Sequence, residues 1–112
     1  MSKSASELPS GKKIILRAEM IAASDEKADT IANLLTTIKK NALATEPGTL
    51  TFRLCRFGRS LLAFEEYADL EAFSIHNNSE HVKALFKAAP ELIAAPPDIS
   101  FYSEYANEGA KL

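Results

Sequence analysis

The segment "KKIILRAEMIAA", residues 12–23, sets Ile14, Leu16, Ala18 and Met20 on one parity and Ile15 and Ile21 on the other. Successive side chains of a strand point to opposite faces, so this strand must find apolar cover on both sides. Any fold for the chain has to sandwich it between two layers.

The remaining pattern says which layers are on hand. "SDEKADTIANLLTTIKKNALA" changes period, with Ala28, Ile31, Leu35, Ile38 and Ala42 at three- and four-residue steps. This predicts an amphipathic helix capped by Ser24 or Asp25, with acids in its first turn. "EPGTLTFRLCRF" follows a Pro-Gly turn signal and alternates Leu50, Phe52 and Leu54 with Thr49, Thr51 and Arg53. Gly58 offers a tight turn and "SLLAFEEY" returns as the hairpin partner. Asp69 caps a short helix read through Phe73, and Ser79 caps a second one whose inward stripe is Val82, Leu85, Phe86 and Ala89. Pro90 and Pro96-Pro97 end helical structure before a last strand, "DISFYSEY".

The order is β-α-β-β-α-β, the ferredoxin-like plan of an α+β domain with one antiparallel sheet and helices on one face. Those helices leave the other face of the first strand uncovered. A second copy is the expected cover, which gives a homodimer packed through the sheet face as a dimeric α+β barrel. A chain of 112 residues holds one such domain. Its expected span is 12–105, with 1–11 a flexible N-terminal tail and 106–112 a C-terminal tail.

Composition narrows function by exclusion. At 46% hydrophobic and 25% charged the chain is globular, and its net charge of -2, with scattered Lys and Arg, has no footprint for a nucleic-acid backbone. No segment nears the roughly 20 apolar residues of a membrane span. Cys55 stands alone, so a reducing, cytoplasmic setting is expected.

Chemistry concentrates in "AFEEYADLEAFSIHNNSEH", residues 63–81, which holds both histidines and adjacent glutamates. Glu65 shares strand parity with Ala63 and Tyr67, whereas Glu66 shares it with Phe64 and Leu62, so one carboxylate points into covered space. A buried carboxylate either accepts hydrogen bonds, here from Arg53 or Tyr67, or has its pKa raised into the range of a general base. Histidine is the residue type whose ordinary pKa lies nearest neutral pH, so His76 is a candidate base; His81 is another, and either can instead serve the helix break. The two are five residues apart, about 140° around a continuous helix, so no shared metal site is expected. Phe52, Phe64, Tyr67, Phe73 and Phe86 are candidate walls for an aromatic ligand, at spacings that also suit a core.

These residues also carry a resemblance. E-P-G at Glu46–Gly48, Phe52, the strand end at Phe64 and Glu65, Asp69, Ala72, His76, and the Ser79 and His81 helix start resemble the antibiotic biosynthesis monooxygenase (ABM) family of the dimeric α+β barrel superfamily. The resemblance spans nearly all of residues 12–105. It implies a cofactor-independent monooxygenase: an electron-rich phenol or quinol loses a proton in an apolar pocket and reacts with O2, with catalytic roles for His76, Glu65 and His81. It departs from the anthrone oxygenases, where Asn, Trp and Tyr are expected at what are here Ala63, Tyr67 and Phe73. It departs also from the haem-degrading members, since Phe86 falls where their ligand histidine lies and the chain has no Trp. The expected partners are a small quinol or polyketide-like aromatic and O2. The alternatives on the same fold are a non-catalytic binding protein for a hydrophobic metabolite and a non-redox isomerase or cyclase.

Overall fold

The computed structural model describes residues 5–8 and 11–105. β1 (Ile14–Ile21) leads into α1 (Asp25–Thr45), then β2 (Thr49–Phe57), β3 (Ser60–Tyr67), α2 (Leu70–Asn77), α3 (Glu80–Ala88) and β4 (Asp98–Tyr102). The strands form one antiparallel sheet in the order β2-β3-β1-β4, the ferredoxin-like arrangement expected from the pattern.

Local chemistry sets the boundaries. Ser24, in extended conformation, accepts a hydrogen bond from the Lys27 N–H and starts α1; Asp69 and Ser79 do the same for α2 and α3. α2 runs past Phe73 to Asn77, because Asn78 closes it by donating through its backbone N–H and side-chain amide to the carbonyl of Ser74. β4 ends at Tyr102, shorter than the "DISFYSEY" run. Pro90 lies in a 3-10 turn, Ala89–Glu91, that continues from α3.

The predicted stripe of α1, Ala28, Ile31, Leu35, Ile38 and Ala42, is buried. It packs with Met20, Phe52, Leu61 and Ala63 from the sheet and with Val82 and Leu85 from α3. A second cluster joins Ile14, Leu16, Tyr67 and Ala72 to Ala5. Ala5–Glu7 forms a 3-10 turn with Ala5 buried, so this stretch of the expected N-terminal tail is packed onto the fold. The C-terminal tail, 106–112, lies outside the described residues.

β1 and β3 alternate cleanly. Ile14, Leu16, Ala18 and Met20 pair with Tyr67, Glu65, Ala63 and Leu61 on the helix-facing side. Ile15, Arg17, Glu19 and Ile21 pair with Glu66, Phe64, Leu62 and Ser60 on the outer side. No described helix is long and apolar enough to cross a membrane.

Candidate active site

Between the helix-facing side of the sheet and the helices lies a cavity of about 520 Å³. Its walls are mostly apolar, with Leu16, Met20, Leu61 and Ile99 from the strands and Leu35 and Val82 from the helices. Glu65 and His76 bring charge-bearing chemistry into it, and among the described residues no Lys or Arg lines it.

Those two residues belong to a buried polar chain. His76, on the inward face of α2, is 4% exposed, and Glu65, on β3, is 6% exposed. Nδ1 of His76 is 2.8 Å from Oε1 of Glu46, and Nε2 is 3.7 Å from Oε1 of Glu65. Tyr67 donates its hydroxyl to Glu65, and Thr49 donates to Glu46 at 3.0 Å. The imidazole is flanked by the rings of Phe52 and Tyr67, with centroids 5.5 Å and 5.2 Å away. Among the described residues every buried side-chain polar atom has a partner. Since the two carboxylates address opposite edges of the ring, they do not converge on one point, and no cluster of three metal-ligating side chains is found among the described residues.

Burial governs the acid–base behaviour of the chain. Loss of hydration pushes the Glu65 carboxyl up to about 7; the Tyr67 hydroxyl pulls against that rise, and the negative charge of Glu46 adds to it. The Tyr67 phenol is driven far above its ordinary value, first by burial and then by the charge of Glu65, so it remains a donor. A carboxyl held near neutrality by burial lies in the range that suits proton transfer at physiological pH.

Residues 14–88 match the family model described as antibiotic biosynthesis monooxygenase. The chain belongs to the ABM family. Solved structures agree at the level of the fold. A candidate antibiotic biosynthesis monooxygenase from Caulobacter crescentus is similar with a TM-score of 0.77 at 22% identity, over 86% of this chain and 92% of that one. Rv0793 from Mycobacterium tuberculosis is similar with a TM-score of 0.78 at 18% identity, over 86% and 98%. NE2512 from Nitrosomonas europaea, a protein of unknown function, is similar with a TM-score of 0.73 at 26% identity, over 93% and 97%. No curated protein matches the chain.

On this ABM domain the predicted site residues separate. Glu65, His76, Phe52, Phe73 and Phe86 line the cavity, although Phe86 is 43% exposed. Tyr67 is fully buried behind Glu65 and touches the site through its hydroxyl, without forming a wall. Phe64 does not face the cavity: it pairs with Arg17 and Arg53 on the outer side of the sheet, one residue and therefore one face away from Glu65. His81 is exposed in the first turn of α3 and lines no part of the cavity, because the break at Asn78–Ser79 turns α3 so that Val82 and Leu85 face inward.

Glu46 is the member that the sequence reading left out of the site. A signal for it existed. It caps the C-terminus of a 21-residue helix whose last turn has no basic residue, where the helix dipole disfavours a carboxylate. A Glu kept in that position has a partner elsewhere in the fold, and here the partner is His76.

Proposed function

We propose that this ABM protein is a cofactor-independent monooxygenase acting on a small, neutral, electron-rich aromatic, a quinol or a polyketide-like phenol, with O2. The observation that carries the reading is the buried pair Glu65 and His76 opening on an apolar cavity that has no Lys or Arg among its described lining residues. Such a cavity suits a flat, uncharged molecule with a proton to give, and among its described lining residues there is no Lys or Arg to pair with a carboxylate or phosphate.

The substrate packs against Phe52 and Phe73 and presents its acidic hydroxyl or ring methylene to the pair. His76 or Glu65 takes the proton. Low-dielectric walls leave the resulting anion poorly solvated, which favours transfer of its electrons to O2. For a ring methylene, two C–H bonds are lost, one oxygen atom becomes the new carbonyl, and the other leaves as water. Both electron pairs come from the substrate, so the protein supplies deprotonation, desolvation and orientation.

A second copy of the chain covers the outer sheet face. That face carries Phe64, Ile21 at 42% exposure, Phe57 at 91% and Tyr102 at 50%, and a two-fold dimer buries the same patch on each protomer.

The test of the site is the turnover of His76→Ala and Glu65→Gln with a substrate that the wild type oxidises. Loss of a general base lowers the rate by about 10²-fold or more. Unchanged rates in both variants remove these residues from the mechanism.

A further inference from the structure

The histidine that lines the cavity has its two nitrogens in unlike settings. Nδ1 points away from the cavity to Glu46, at 2.8 Å, within hydrogen-bond reach and between two nearly inaccessible side chains. Nε2 is 3.7 Å from Glu65, too far for a direct hydrogen bond, so the bond at Nδ1 is the one that fixes the ring. A carboxylate only accepts, hence the ring proton belongs on Nδ1.

We infer that Glu46 is a positioning residue that holds neutral His76 in its Nδ1–H tautomer, which makes Nε2 the proton-accepting atom of the site. This rests on the proposed base chemistry for its purpose, but its geometry stands apart from any substrate. The neutral histidine side chain in water favours the Nε2–H tautomer, so the assignment reverses the solution preference and needs a fixed acceptor.

The fold builds that acceptor with care. Glu46 accepts from Thr49 as well as from His76, so its Oε1 is held from two directions. The turn that carries it is closed by the Thr49 N–H bonded to the Glu46 carbonyl at 3.0 Å, with Pro47 and Gly48 between. Gly48 has no positive φ; its lack of a side chain serves a close approach, because a Cβ there would lie 2.4 Å from the Cβ of Ala72 on α2. Ala72 is one turn before His76, so the contact draws the helix onto the turn at the level where Glu46 meets the imidazole. E-P-G and the helix histidine thus act as one device: the glycine sets the distance and the glutamate sets the proton.

Nitrogen-15 NMR of the full chain, labelled at histidine and followed over a pH series, reads the tautomer directly from the shifts and long-range couplings of the two ring nitrogens. No substrate is needed, so failure of the oxygenase reading leaves this result interpretable. The expected wild-type spectrum assigns the neutral ring of His76 to Nδ1–H. Glu46→Met keeps most of the side-chain volume without an acceptor, and is expected to lose that tautomer while the far-UV circular dichroism is retained; Glu46→Ala is the second variant. A wild-type ring protonated on Nε2, or an unchanged Nδ1–H signature in a folded Glu46 variant, overturns the assignment. The wild-type spectrum can do so by itself, even where neither variant folds.

Discussion

Gly48 and Ala72 approach so closely that no other residue fits at 48 without displacement: a Cβ there would lie 2.4 Å from that of Ala72. Gly48→Ala is expected to cost about 1–3 kcal/mol in chemical denaturation, the usual penalty for overpacking. Ala72→Gly on its own weakens α2 by about 1 kcal/mol, and in the double variant it restores part of the loss. Strict additivity of the two changes would show that the contact is not what excludes a side chain.

Glu65 gives stability a defined pH dependence. Its folded-state value is raised from 4.5 to about 7, so the folded chain keeps a proton that the unfolded chain releases. The neutral acid's contribution is whole below about 4.5 and is lost as pH rises through 7, a fall of about 3 kcal/mol. Glu65→Gln is uncharged throughout and removes this slope. Denaturation midpoints at pH 5 and pH 8 are therefore expected to lie closer together in the variant than in the wild type, and equal slopes would contradict the buried, proton-holding carboxylate.

Tyr67 donates to Glu65 and favours its charged form. Tyr67→Phe deletes the donor and keeps the ring packed against Phe73. The loss of about 1–2 kcal/mol is expected to be larger at pH 8, where Glu65 is ionised, than at pH 5. A loss independent of pH would place the role of the hydroxyl elsewhere.

The outer sheet face is expected to hold the second copy. Sedimentation equilibrium should give a dimer for the wild type and a monomer for Phe64→Lys, which sets a charge on that face, with circular dichroism confirming the fold of the variant. A monomeric wild type, or a dimer that Phe64→Lys leaves intact, contradicts packing through this face.

The scaffold was legible in the sequence because it rests on local periodicity. The α1 stripe from Ala28 to Ala42 and the alternation of β3 follow from side-chain direction within one element. The site was legible only in part. Parity puts Phe64 and Glu65 on opposite faces, so a choice between them was available from the sequence, and the cavity takes Glu65. The bond between Glu46 and His76 joins residues 30 positions apart across a helix end and another helix, and no local rule reaches that far. His81 was drawn in by residue type, although its exposure follows from where Ser79 starts α3. The burial of Ala5 rests on one small side chain in a polar stretch, which leaves no periodic trace.

The most direct test of the proposed activity is oxygen consumption by the purified, metal-stripped protein against a panel of quinols and anthrones, with substrate autoxidation subtracted and products identified by mass spectrometry. The predicted result is protein-dependent uptake, a product that has gained one oxygen atom from O2, and loss of both in His76→Ala. Ligand binding without uptake on any member of the panel, or uptake that His76→Ala and Glu65→Gln leave unchanged, contradicts it.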